Sequence, residues 1–416
     1  MTLPCTLSLV DRSLFAVTAA GGVPVVSMSK LLFLATMGTV AGKFLLGPPT
    51  DVLGGHTVMK LCLFVNAALL FLISTVTTPA AFIAPWIVVS FLYGATWGAV
   101  GAVVRKEFDQ NEWSAQLGLA AAWSRIGSLG SSLAFGAIMS RASGVPLNSW
   151  RRVFAVAAAL QAGILAIYIA LSGQIITRHG PSITSTGKVN SAADDQNAAP
   201  APAPSALKLL SSACQSSVFW GMLLGKATLL GVGQFIGFIS LYLETGLGMS
   251  AAAASSFSGL FALGSLLSNL LASRIYRSLP RKTRIRSVTV ANLVGVAAPL
   301  LLWAHANHPL LLPVALRVPS VLTLLTVWGA AWALAFYIPP GVIALDIGGT
   351  HHAALVTNIA DGAGFTVAAC FSLLAMPLGR RGGAAWGKVH LVLASFSAMA
   401  LLSLRHAMGR ERQEPK

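Results

Sequence analysis

Charge is what this sequence has least of. Only 10% of its 416 residues are Asp, Glu, Lys or Arg, where a soluble domain carries about 25%. A chain so poor in charge cannot cover a water-facing surface, which excludes an ordinary soluble globular fold. Acid is scarcer still: 12 Asp and Glu stand against 28 Lys and Arg, a formal net charge of +16. In a soluble protein that excess would point to nucleic acid, but no basic stretch is interleaved with aromatics, so nucleic acid is not an expected partner. Cysteine is sparse and scattered, at Cys5, Cys62, Cys214 and Cys370. With no C-x-x-C and no ligand spacing, neither a disulfide framework nor a metal site is indicated. There is no N-glycosylation sequon, and the start lacks the basic region of a cleavable signal peptide. No G-x-x-x-x-G-K-[ST] is present, which leaves an ATP-driven pump without support. No Ser/His/Asp or paired-carboxylate constellation indicates an enzyme, and no cofactor is implied.

What the sequence does have is long apolar runs. Hydrophobic residues make up 55% of the chain and the mean hydropathy is +0.75. A helix needs about 20 apolar residues to cross a bilayer. Runs of that order lie at roughly 29–50, 58–77, 80–104, 115–140, 150–172, 215–244, 250–276, 286–305, 310–340, 351–377 and 386–406. The alternating pattern of a membrane β-barrel is missing. The first 25 residues are moderately apolar, carry Asp11 and Arg12, and read as part of a twelfth span. The expected fold is therefore an all-α polytopic membrane protein of twelve helices, the first incomplete. An intact first helix would need roughly 10 to 15 further apolar residues upstream, so a truncated start is expected.

Between 173 and 212 the composition turns polar and rich in Pro and Ala, as in DDQNAAPAPAPSALK (194–208). Such a segment cannot form a core. It divides the chain into an amino-terminal bundle (1–172), a linker (173–212), a carboxy-terminal bundle (213–406) and a short tail (407–416). Two six-helix bundles joined by a long loop are the arrangement of a two-repeat transporter, with a solute site at the midplane. Placing the linker and both termini in the cytoplasm puts Arg105, Lys106, Arg274, Arg281, Lys282, Arg284 and most other loop cations on that side. The opposite side keeps Arg141, Arg151, Arg152, Arg380, Arg381 and Lys388, a bias that agrees with the positive-inside rule.

Six basic residues fall within or at the ends of the apolar runs: Arg12, Lys30, Lys43, Arg125, Lys226 and Arg317. Lys30, at a helix end, can snorkel to the interface. The rest must face a partner or a polar cavity, because a charge in hydrocarbon costs several kcal/mol. Acids near these spans are few: Asp11, Glu244, Asp346 and Asp361. Excess positive charge suggests a path that attracts anions. The glycines of RIGSLGSSLAFG (125–136) and DGAGF (361–365) read as sites of close helix packing. His351 and His352 are adjacent, point in different directions on a helix, and so suit capping better than a shared metal.

The stretch GKFLLGPPTDVLGG (42–55) then carries a resemblance. Gly47, Asp51 and Gly54 resemble the G-x-x-x-D-[RK]-x-G-[RK]-[RK] loop after the second helix of major facilitator superfamily transporters. Val52, Gly55 and His56 stand where that family has basic residues. The resemblance implies that Asp51 latches a cytoplasmic gate against a neighbouring helix terminus, with Arg105 as its basic partner. LVDRSLFAV (9–17) and GKFLLG (42–47) are similar to the organophosphate:phosphate antiporters, the glycerol-phosphate and hexose-phosphate exchangers. There the arginine matched by Arg12 binds phosphate, and the lysine matched by Lys43 follows in the second helix. The second arginine of that clamp, in the seventh helix, is replaced by an apolar residue near Val232, and Lys226 lies about two turns earlier.

The implied function is secondary transport of a small anion, such as a phosphate ester, by a monomer in the lipid bilayer. Arg12 and Lys43 lead the expected anion ligands, followed by Arg125, Lys226 and Arg317. Gly47, Asp51, Gly54 and Arg105 form the expected gate, and Trp97, Trp123 and Tyr337 are candidate cavity residues. Other readings stay open: a proton-coupled carrier of a neutral or carboxylate solute, with Asp361 as the proton site, or a receptor-like or decayed relative that does not transport.

Overall fold

The computed structural model describes residues 26–76, 79–141, 146–178, 205–276, 278–308, 313–349 and 351–410. Their regular secondary structure is all helical. Helices α1 (Val26–Leu53), α2 (Gly55–Thr75), α3 (Pro79–Glu107), α4 (Trp113–Arg141) and α5 (Pro146–Arg178) precede the polar stretch. After it come α6 (Ala206–Gln215), α7 (Ser217–Gly233), a 3-10 turn (Gln234–Phe238) and α8 (Ile239–Thr245). These are followed by α9 (Ala251–Phe257), α10 (Gly259–Ile275), α11 (Arg281–Asn307), α12 (Val314–Gly348), α13 (Ala353–Arg381) and α14 (Ala385–Arg410). Among the described residues, 8 helices are long and apolar enough to cross a membrane, and the chain is a polytopic helical membrane protein. The expected first span and its Arg12 lie outside the described residues.

Two local features differ from the sequence reading. The stretch from Gly47, matched above to a loop, is helical through Pro48 and Pro49. α1 runs through both prolines to Leu53, and the chain turns at Gly54, whose φ of +83° suits a residue without a Cβ. Neither proline can donate to the carbonyl four residues before it, so the helix forgoes bonds to Phe44 and Leu45 in its last turns. Thr50 Oγ1 also donates to the carbonyl of Leu46 at 2.5 Å. The linker is also shorter than its composition suggests. α5 continues to Arg178, and α6 begins at Ala206 with Leu209 packed beside Ile343, Val356 and Ala360.

Helices are drawn together where glycines remove side chains. α1 crosses α3 with Gly42 against Gly94: a Cβ on Gly94 would stand 2.7 Å from the backbone nitrogen of Lys43, and one on Gly42 would overlap the carbonyl of Phe91. Beside this crossing Thr39 Oγ1 donates across to the carbonyl of Ser90 at 3.0 Å. The carboxy-terminal helices repeat the device. α10 crosses α12 with Gly264 against Thr326 and Gly329 against Phe261, and Ser265 Oγ donates across to the carbonyl of Gly329 at 3.0 Å. In each case a small hydroxyl satisfies itself on the neighbouring backbone, so close approach leaves that group with a partner. Between the two sets, α1 packs along α13 and α4 along α10. These seams frame a central space.

The crossings can be tested by adding one methyl group. Gly42→Ala and Gly264→Ala are each expected to destabilise by about 2 kcal/mol, the usual scale of overpacking. Gly163→Ala, where a Cβ meets nothing within 4 Å, should leave stability unchanged or slightly raised. Thermal unfolding of the purified variants in detergent measures the difference.

Candidate functional site

The central space is a cavity of about 480 Å³ lined from α1 to α5 on one side and from α7, the 3-10 turn, α12 and α13 on the other. That size suits a small solute. Its floor is an ion cluster. Lys43 of α1 donates from Nζ to Asp361 Oδ2 at 2.8 Å. Lys226 of α7 meets Asp361 Oδ1 at 2.6 Å as an ion pair, without the angles of a directed hydrogen bond. All three side chains are at most 5% exposed. Asp361 thus bridges helices from both ends of the chain.

The local sequence explains why three helices can meet there. Asp361 is followed by Gly362 and Gly364. A Cβ on Gly362 would stand 2.9 Å from the Phe44 ring and 3.3 Å from Lys43 Cβ; one on Gly364 would stand 2.9 Å from Leu230 Cβ and 3.4 Å from Ala227 Cα. The bare face of α13 therefore lets α1 and α7 come close enough for both ammonium groups to reach one carboxylate. The DGAGF stretch is the packing device expected of it, and it serves the charge cluster.

Arg125 of α4 adds a further cation to the cavity wall. It is 8% exposed and donates from Nη2 to the Tyr337 hydroxyl. Its guanidinium lies 5.3 Å from the Trp332 ring and 5.5 Å from the Tyr337 ring, while Nε has no partner. Among the described residues of the site, Lys43, Arg125 and Asp361 line the cavity, and Lys226 pairs with Asp361 from α7. Two positive charges are left uncompensated in a water-poor interior, where each raises the local potential strongly. Among the described residues no group of acids, histidines and cysteines could hold a metal.

Three of the expected anion ligands are thus brought together and two are not. Arg12 lies outside the described residues. Arg317 is half-buried in the first turn of α12, 20 residues before Tyr337. At 1.5 Å per residue that is about 30 Å along the helix, which removes it from the site. Asp361 is in the cavity as expected, but as a shared counter-ion. Trp97, Trp123 and Tyr337 all line it. The sequence left unnoticed that Tyr337 receives Arg125, and that Asp361 takes both lysines. The available signal was one acid among glycines and basic residues in apolar runs with no other counter-charge.

At the other end of α1 stands the expected gate. Asp51 Oδ1 accepts from the backbone N–H of Ala354 and Oδ2 from that of Leu355, both at 3.0 Å. The carboxylate thereby caps the amino terminus of α13, where the helix dipole favours negative charge. His352, at the capping position itself, makes no side-chain cap; Asp51 of another helix does so in its stead. Gly47 lets the two helices touch, since a Cβ there would lie 3.2 Å from Leu355 Cα. Arg105 does not join Asp51. Its guanidinium stacks 4.3 Å from the Trp113 ring, and the helix terminus supplies the positive end that Arg105 was expected to give.

The fold is similar to those of several solved transporters. A variant of the E. coli fucose:proton symporter FucP aligns over 98% of each chain with a TM-score of 0.63 and 14% identity. The proton:xylose symporter XylE aligns over 96% of this chain and 94% of its own, with a TM-score of 0.70 and 14% identity. A mutant of the nucleoside transporter NupG aligns over the same shares, with a TM-score of 0.59 and 17% identity. Identities this low speak for the fold alone. No curated protein matches the sequence. The Major Facilitator Superfamily model matches residues 13–373. Over most of its length, then, the sequence carries the pattern that its helices and cavity embody, and the chain belongs to the Major Facilitator Superfamily.

Proposed function

We propose that this chain is a secondary transporter that carries a small anion by alternating access. The observation that carries this reading is the pairing of Lys43 and Lys226 with one carboxylate, Asp361, together with Arg125 in the wall of the same central cavity. The moving bodies are residues 1–172 and 213–406, joined by the linker at 173–212 and followed by the tail at 407–416. Both termini and the linker lie in the cytoplasm, and the unit is a monomer. The Asp51 cap on α13 closes the cytoplasmic end, with Gly47 and Gly54 shaping the contact. The antiporter mode and phosphate-ester cargo come from the resemblance to organophosphate exchangers, which also makes Arg12 an anion ligand.

The cluster gives exchange a physical basis. Lys43 and Asp361 lie on opposite sides of the cavity, so their pair ties the two bodies together. An anion arriving at Lys43 competes with Asp361, which keeps Lys226 as its partner. The tie is then loosened only when cargo is present. A second reading, proton-coupled uptake, is favoured by the position of Asp361, among the described residues the single carboxylate of the cavity wall. Protonation of Asp361 would loosen the same tie.

Lys43→Met leaves Lys226 paired one to one with Asp361 and is expected to fold. It should lower anion exchange at least tenfold, the scale of one lost charge-assisted bond. Asp361→Asn strands two buried ammonium groups and should cost about 3–5 kcal/mol of stability. Counterflow of phosphate, glycerol 3-phosphate and carboxylates in proteoliposomes checks the first, thermal unfolding the second. Unchanged exchange in both Lys43→Met and Arg12→Ala would sink the anion reading; abolition of uptake by a protonophore would favour proton coupling.

Asp51→Asn removes the charge from the α13 terminus and should weaken the closed gate by about 1 kcal/mol. The expected readout is a several-fold faster labelling of a cysteine introduced in the seam at Leu355, with cargo absent. Equal labelling rates would count against a gate at Asp51.

A further inference from the structure

The cavity wall carries information besides charge. Its cations rest against aromatic faces. Lys43 Nζ lies 5.8 Å from the Phe365 centroid, and Arg125 lies between the faces of Trp332 and Tyr337. Trp97 approaches Tyr337 with ring centroids 5.7 Å apart, and Trp332 meets Tyr337 at 5.7 Å. Several polar side chains of the wall are already engaged by the protein. Thr39 donates to the carbonyls of Ala35 and Ser90, Thr96 to that of Tyr93, and Gln234 to Ser372. Asn66 keeps one amide oxygen without a partner. Ser90 keeps its hydroxyl without a partner as well, but the wall as a whole is mostly apolar and offers many ring faces.

We propose that the cargo is an anion with a flat aromatic body, an arenecarboxylate. This rests on the anion-carrier reading and narrows it. The carboxylate meets Arg125 and Lys43, and the ring lies among Trp97, Trp332, Tyr337 and Phe365. An arene there gains apolar burial and offset or edge contacts with its neighbours. A polyol phosphate would satisfy the cations equally well, but each of its hydroxyls would leave water for a mostly apolar wall. The free oxygen of Asn66 suits one donor on the ring, such as a phenol. Charge alone admits any anion of one or two charges; the walls choose among them.

The test compares solutes of equal charge and different body. Full-length protein in proteoliposomes is assayed for counterflow of benzoate, 4-hydroxybenzoate, cyclohexanecarboxylate, glycerol 3-phosphate and xylose, with protein-free liposomes subtracted. The expected result is a kcat/KM for benzoate about tenfold above that for cyclohexanecarboxylate and for glycerol 3-phosphate. Trp97→Leu should bring the ratio of benzoate to cyclohexanecarboxylate close to one. Phe365→Leu serves as a second variant with the same expectation should the first not fold. Equal rates for the two carboxylates, or a preference for glycerol 3-phosphate, overturn the aromatic assignment and leave the anion reading standing. Transport of xylose with no transport of any anion overturns both.

Discussion

Asp361 holds two ammonium groups where water is in no position to replace any of the three. Much of the site's geometry follows from that constraint. A buried charge is tolerable only with a partner, and among the described residues Asp361 is the single acid in the cavity wall. Lys43 and Lys226 must both come to it, one from each side. For them to do so, α13 must be bare next to the carboxylate, and Gly362 and Gly364 make it so. The crossing of α1 and α3 at Gly42 and Gly94 serves the same end, because it fixes the residue directly before Lys43. The position of the charge cluster is thus set by backbone contact, which is stiffer than side-chain packing.

The contacts differ in quality in a way that suits motion. The crossings within each set of helices are complete. Backbones touch at Gly42 and Gly264, and Thr39 and Ser265 find partners across the gap. The seam between α1 and α13 is less complete. Asn358 sits buried against Gly47 and Gly98 with both amide atoms lacking partners, while Asp51 and Lys43 supply directed bonds across the seam. An unpaired buried amide opposes the closed seam, and the Asp51 cap favours it. The seam thus carries one unfavourable term beside its favourable ones.

The spans were legible in the sequence because hydrocarbon imposes a length and excludes charge. Expected spans such as 58–77 and 386–406 become Gly55–Thr75 and Ala385–Arg410. The gate was half legible. Gly47, Asp51 and Gly54 mark it, and the resemblance implied a helix terminus as partner, but which terminus was not legible, because backbone N–H groups leave no trace in residue identity. Arg105 was read as that partner from its place in the chain, while its ring partner Trp113 lies just beyond the next turn. The charge cluster was legible only as an inventory of buried cations. Lys43 and Asp361 are 318 positions apart, and nothing local in either stretch names the other. Arg317 shows the converse error: a basic residue in an apolar run can lie in the first turn of a long helix, far from the midplane. Pro48 and Pro49 lie within the helix although each removes a backbone donor, which residue identity alone would not suggest.

Attraction and discrimination are separated in this cavity. The excess positive charge acts over distance and is indifferent to the body of the anion. The ring faces act only on contact and are indifferent to charge sign until a cation is placed on them. Arg125 belongs to both systems, since its guanidinium gives one bond to the Tyr337 hydroxyl and lies against two rings. A solute that takes its charge must also displace or share its aromatic neighbours. On the proposed reading, recognition of charge and recognition of shape therefore meet at one side chain, on α4.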